Sequence, residues 1–142
     1  MNDVVWSLNS RNDSWKNLLD KLTDFGRRLF EASTASFAME IVGTLPDKLS
    51  QQERQTVYLL IRESLNNACK HAGATQVILQ FSFHKHITIT VTDDGSGFAT
   101  TNRYHGNGIK NMRNRALAID GNLDIQSAPT GTKICLWYRP KA

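Results

Sequence analysis

At 142 residues with 40% hydrophobic content, the chain is long enough to bury one compact core and too short for two comfortable ones. Its formal charge of +4 comes from scattered Lys and Arg with no run of like charge, which suits a phosphate-bearing ligand as well as a nucleic acid and decides neither. No apolar run approaches the roughly 18 residues that span a bilayer, and the start has neither the basic flank nor the apolar block of a signal peptide, so the segment reads as soluble. Cys69 and Cys135 fall in apolar stretches without metal spacing, which predicts a reduced, buried, inert pair and a reducing, cytoplasmic setting.

Over 15–30 the apolar residues Trp15, Leu18, Leu19, Leu22, Phe25 and Leu29 recur at threes and fours, the period of an amphipathic helix. Over 36–42 the residues Phe37, Met39 and Ile41 alternate onto one side and predict a strand, after which Pro46 breaks the chain. Ser50-Gln51-Gln52-Glu53 is a capping box, its hydroxyl and carboxylate each able to satisfy a free amide at a helix start. A long helix follows, ending near Ala72-Gly73. Val77, Leu79, Phe81 and Phe83 alternate, as do Ile87, Ile89 and Val91, so two strands meet at a short turn around His84-Lys85. The stretch between Gly97 and Gly108 is polar and glycine-broken and reads as a mobile loop. Helical spacing resumes over 107–118, and Leu123 and Ile125, then Ile134, Leu136 and Tyr138, make two final strands around a turn at Pro129-Thr130-Gly131. Five strands and about three helices in this order predict an α/β two-layer sandwich, a mixed sheet with the helices on one face.

The long helix carries its apolar stripe at Val57, Leu60, Ile61, Ser64, Leu65 and Ala68, which is ordinary core packing. Glu63, Asn67 and Lys70 lie on a neighbouring stripe, four and three residues apart. That stripe reads either as a solvated face with an intrahelical contact or as a site: a carboxylate and an amide oxygen side by side suit Mg²⁺, which keeps several waters and takes few protein ligands. Asp93-Asp94-Gly95-Ser96-Gly97 leaves a strand rich in β-branched residues, holding a carboxylate at a rigid strand end. Such an acceptor suits the exocyclic amine of adenine and rejects the guanine carbonyl. Gly106-Asn107-Gly108-Ile109 opens the next helix, where small residues let free amides approach a phosphate chain. Each glycine cluster alone reads equally as an ordinary turn. Asp93-Asp94-Gly95-Ser96-Gly97 also resembles half of a calcium loop, without the later Glu such a loop requires.

Together, Glu63-Ser64-Leu65-Asn66-Asn67 with Lys70-His71-Ala72, the Asp93 to Phe98 segment, Gly106 to Ile109, and Gly131-Thr132 resemble the four boxes of the GHKL ATPase superfamily in order and spacing. Within it, Lys70-His71-Ala72 and Met112-Arg113-Asn114-Arg115-Ala116 are similar to sensor histidine kinases that feed LuxR-like response regulators. The opening Asp3-Val4-Val5-Trp6-Ser7-Leu8-Asn9 resembles the segment closing the dimerisation hairpin of such kinases, with Ser10 where proline is usual.

This resemblance implies the Bergerat fold, ATP and Mg²⁺ as ligands, and division into residues 1–32, the end of a dimerisation hairpin plus a connecting helix, and residues 33–142, the catalytic domain. It implies that Asn67 holds Mg²⁺, that Glu63 supports the metal and the reacting phosphate, and that Asp93 reads adenine. By the same resemblance Lys70 and His71 lie near the phosphates, Gly95 and Gly97 shape the adenine end, Gly106, Gly108 and Ile109 belong to the phosphate lid, and Gly131 and Thr132 close the far wall. The implied partners are the protein's own upstream phosphoacceptor domain, in a homodimer, and a response regulator, with no nucleic acid. The phosphoacceptor is expected before Met1, since His71, His84, His86 and His105 sit at a helix end, a hairpin turn and the lid. Two rivals stand beside this reading: an anti-sigma-factor serine kinase of the same superfamily, and a module that uses nucleotide only as a conformational switch.

Overall fold

The Ser14 side chain accepts a hydrogen bond from the Asn17 amide at 3.1 Å and starts α1, Trp15–Glu31. The computed structural model describes residues 14–71, 73–95 and 107–140. The opening segment read as the end of a hairpin lies outside these residues. Trp15, Leu18, Leu19 and Leu22 are buried, as their spacing predicts. The Trp15 ring meets Phe83 edge-on, with centroids 4.9 Å apart, so α1 joins the same core as the sheet.

The strands are β1, Ser36–Gly43; β2, Gln76–Phe83; β3, Ile87–Asp93; β4, Asn122–Ala128; and β5, Gly131–Tyr138. They form one sheet in the order β1-β2-β3-β5-β4, with β1 parallel to β2 and every other pairing antiparallel. The parallel step needs a crossover, which α2, Gln51–His71, supplies. The capping box at its start is formed on both sides: the Glu53 amide donates to Ser50 Oγ at 3.0 Å, and the Ser50 amide donates to Glu53 Oε1 at 3.3 Å. The third helix, α3, covers Asn107–Leu117.

Alternation decides which sheet face is covered. Val77, Leu79, Phe81 and Phe83 on β2, Ile87, Ile89 and Val91 on β3, and Ile134, Leu136 and Tyr138 on β5 are all buried beneath the helices, with the α2 stripe Val57, Leu60, Ile61, Leu65 and Ala68 against them. Lys133 and Trp137 alternate onto the opposite, open face. The architecture is the expected two-layer α/β sandwich with a mixed five-stranded sheet and three helices.

Phe37 and Met39 are partly buried on one side of β1, whereas Ile41 is 49% exposed toward the far end of this edge strand. One local expectation is corrected, that of the cysteines. The cysteines are free, but both are half-buried rather than buried. Burial still pushes the Cys135 thiol above its ordinary value, which keeps it protonated. No described helix is long and apolar enough to cross a membrane.

Candidate functional site

Asp93 ends β3, opposite Val77 on one side and Thr132 on the other. Its side chain is 8% exposed, and its Oδ1 accepts the Gly95 amide at 2.9 Å, a turn that fixes the plane of the carboxylate as the chain leaves the sheet. The next residue has a different task. Asp94 Oδ1 accepts the amides of Thr75 at 2.8 Å and Gln76 at 2.9 Å, while Oδ2 accepts the Thr75 hydroxyl. Asp94 thereby ties the connection after α2 and the start of β2 to the end of β3. The Thr75 hydroxyl, followed by the two amides, holds the Asp94 carboxyl below the usual carboxylate range.

The start of β5 reaches the same end of the sheet. A Cβ on Gly131 would lie 2.3 Å from the Asp93 carbonyl oxygen, and its φ of +155° is one that side chains rarely adopt, so only glycine lets β5 approach Asp93 this closely. Thr132 follows at 5% exposure, and its Oγ1 lies 3.2 Å from Ser127 Oγ on β4. Because directly opposed residues share a face, Asp93, Thr132 and Ser127 form a polar row across β3, β5 and β4. All three line a recess of about 310 Å³ at the strand ends.

On α2, Glu63 and Lys70 are exposed and Asn67 is half-buried, one helical turn from Glu63. Glu63 lines a second recess, of about 180 Å³, with Leu59 and Arg62 of α2 and Asn111, Met112 and Arg115 of α3. Met112 is buried and its sulfur lies 4.0 Å from the Ser64 hydroxyl, which seats α3 against the stripe beside Glu63. Glu63 and Asp93 thus line separate recesses among the described residues. The backbone of His71 closes α2, and that of Gly108 and Ile109 lies in the first turn of α3. Gly97, Gly106 and the expected lid lie outside the described residues.

No group of three His, Cys, Asp or Glu among the described residues could hold a metal. An ion held at Asn67 and Glu63 would have to draw most of its shell from water and phosphate, as Mg²⁺ does. Sequence reasoning passed over Ser127 and Asp94. Ser127 had a signal, a polar residue continuing the inward series Leu123, Ile125. Asp94 had none, since its partners lie 18 and 19 residues away.

Residues 52–142 match the histidine kinase-, DNA gyrase B- and HSP90-like ATPase family, and the chain belongs to that family. The chain is 37% identical over 87 residues to the signal transduction histidine-protein kinase/phosphatase UhpB of Salmonella typhimurium, covering 61% of this chain and 17% of that protein. It is 29% identical over 106 residues to the sensor histidine kinase YxjM of Bacillus subtilis, covering 73% of this chain and 26% of that protein. The chain thus spans a small fraction of the curated relatives it matches. Among solved structures, the Acinetobacter baumannii histidine kinase AdeS shares the fold with a TM-score of 0.73 at 11% identity, over 92% of this chain and 66% of that one. The histidine kinase domain of the Erythrobacter litoralis EL346 blue-light activated kinase does so with a TM-score of 0.66 at 17% identity, over 87% and 63%.

Proposed function

We propose that the chain is the ATP-binding catalytic domain of a two-component sensor histidine kinase, which transfers the γ-phosphate of ATP to a histidine on an upstream dimerisation domain for relay to a response regulator. The observation that carries the reading is the convergence at one end of the sandwich: Asp94 ties the connection after α2 to the end of β3, and Gly131 brings Thr132 against Asp93. A buried carboxylate that only accepts, at the rim of a recess, fits the amine edge of adenine. Residues 1–32 would then close the dimerisation hairpin and connect it to the catalytic domain of residues 33–142, the full-length protein acting as a homodimer in the cytoplasm without nucleic acid.

In this reading Asp93 and Gly95 fix the base, Thr132 closes the far wall, and the α2 stripe of Glu63, Asn67, Lys70 and His71 faces the phosphates, with Gly97, Gly106, Gly108 and Ile109 in the lid. Asn67 would hold Mg²⁺ with Glu63 beside it, and the ion would neutralise charge on the phosphate oxygens. The protein's part is then positioning: the acceptor imidazole nitrogen attacks phosphorus in line, ADP departs, and Glu63 orients the attacking group.

Incubation with γ-labelled ATP and Mg²⁺ tests the proposal. The isolated chain stays unlabelled, and addition of the upstream hairpin yields an acid-labile phosphohistidine on the hairpin. Stoichiometric labelling of His71, His84, His86 or His105 overturns it, and an acid-stable phosphoserine on a separate protein selects the serine-kinase rival.

A further inference from the structure

We infer that Ser127 is a positioning residue for nucleobase selection: it fixes the hydroxyl of Thr132 so that Thr132 and Asp93 address the exocyclic amine edge of adenine together. This deepens the ATP reading above and rests on it.

The starting point is an oddity of β4. Its inward series runs Leu123, Ile125, Ser127, two apolar residues and then a hydroxyl, at the point where β4 pairs with Thr132. Thr132 likewise interrupts an inward series that continues as Ile134, Leu136 and Tyr138. Two polar residues thus face each other across adjacent strands at the one end of the sheet where Asp93 also points inward, and nowhere else along the β4–β5 ladder does an inward pair carry polar groups. A hydroxyl pair in a row that is otherwise Leu and Ile costs burial unless it has a use.

The geometry gives it one. Thr132 is β-branched, so its side chain has few rotamers, and at 5% exposure little room to change among them. Its hydroxyl has one proton and two acceptor sites. The 3.2 Å contact with Ser127 Oγ engages one of these, whichever group donates, and holds the Thr132 oxygen in place in the row beside Asp93. Asp93, opposite Thr132, can only accept; Thr132 can donate or accept; both line the recess of about 310 Å³. A fixed carboxylate beside a fixed hydroxyl recognises an edge with an amine next to a ring nitrogen. With Ser127 donating to it, the Thr132 hydroxyl is left to donate to the ring nitrogen, a chain in which each bond strengthens the next.

Calorimetric titration of the chain with ATP and with 1-deaza-ATP, which keeps the exocyclic amine for Asp93 but lacks the ring nitrogen that Thr132 addresses, tests the inference. Ser127→Ala should weaken ATP binding about five- to ten-fold, the effect of one ordinary hydrogen bond, and narrow the preference for ATP over the analogue by a similar factor. Ser127→Thr, which keeps the hydroxyl, should retain both affinity and preference. Ser127→Cys keeps the side-chain size without a strong donor or acceptor, so it should behave as the alanine variant and decides the matter should that variant fail to fold. Thr132→Val should show the same loss, and adding Ser127→Ala to it should cost nothing more, because the two residues act through one contact. Unchanged ATP affinity in folded Ser127→Ala and Ser127→Cys overturns the inference, as does an equal loss for ATP and the analogue or full additivity in the double variant. A wild-type chain that binds neither nucleotide overturns the ATP reading itself, whereas a wild type that binds ATP beside insensitive Ser127 variants overturns only the role of Ser127.

Discussion

The Tyr138 hydroxyl donates to Glu53 Oε2 at 2.8 Å, joining the last strand to the first turn of α2 across 85 residues. Glu53 Oε1 accepts the Ser50 amide in the capping box, so one carboxylate both starts the helix and anchors it to β5. Tyr138 is fully buried, and burial, followed by the negative charge of Glu53, holds its phenol well above its ordinary range.

Tyr138→Phe should therefore cost about 1–3 kcal/mol at neutral pH, since it leaves a buried carboxylate oxygen without its donor. The pH dependence has a definite sign. The folded state keeps the phenolic proton, while the unfolded chain releases it near its ordinary pKa of about 10. The contribution of Tyr138 is thus complete below pH ~10 and falls above it, by up to about 1.4 kcal/mol per pH unit. Urea unfolding between neutral and strongly alkaline pH should show a steeper decline in the wild type than in Tyr138→Phe. Equal slopes would mean that Tyr138 ionises as readily in the fold as out of it.

Asp93 and Asp94 are neighbours with opposite predicted phenotypes. Asp93→Asn should weaken ATP binding about ten-fold or more with a nearly unchanged unfolding midpoint, since an amide presents a donor where the base also donates. Asp94→Asn should lower the midpoint, because it replaces the oxygen that accepts the Thr75 hydroxyl with an amide donor and removes the charge that strengthens the bonds from the Thr75 and Gln76 amides, while the folded fraction still binds ATP. The Asp94 carboxyl is held below its ordinary range, so its contribution is present above the unfolded value of about 3.9 and is lost as pH falls through the folded value. Acid titration of stability should accordingly be steeper in the wild type than in Asp94→Asn. Calorimetry paired with thermal melts separates the two residues.

Gly26 sits inside α1, where propensity alone favours alanine by about 1 kcal/mol. An added Cβ would lie 2.4 Å from the Phe37 ring, which is stacked on Phe30 with centroids 5.6 Å apart. Displacing that ring should cost about 1–3 kcal/mol and outweigh the gain in propensity, so Gly26→Ala lowers the melting temperature. Phe37→Leu should relieve the clash, making the double variant less destabilised than the two single effects added together.

Asp120 closes α3 with φ of +56°, a left-handed conformation that glycine adopts without penalty. The Gly121 amide donates back to the Ala116 carbonyl at 2.8 Å and the Asp120 amide to Leu117 at 3.0 Å, the bond pattern of a helix ending on a left-handed residue. Asp120→Gly should stabilise the fold by roughly 0.5–1 kcal/mol, visible as a higher melting temperature with ATP binding unaltered. A lower melting temperature would show that the Asp side chain contributes more than the backbone strain costs.

The sequence by itself determined what depends on near neighbours. The spacing of Trp15, Leu18, Leu19 and Leu22 specified α1, Ser50 and Glu53 specified the start of α2, and the period-two runs ending at Phe83 and Val91 specified a hairpin, because helix faces, caps and strand alternation are set within a few residues along the chain. The candidates Glu63, Asn67 and Asp93 could be singled out for a related reason, since carboxylates and an amide stand out against apolar periods, whereas Thr132 was marked only by the resemblance of Gly131-Thr132 to a family box. Tertiary structure decided the rest. That Glu53 serves Tyr138, that Asp94 rather than Asp93 ties the connection after α2 to β3, that Gly131 must be small because of the Asp93 carbonyl, and that Ser127 meets Thr132 all depend on strand order and register. The order β3-β5-β4 sets which inward residues share a row, and pairing between distant strands leaves no local periodicity by which to read it.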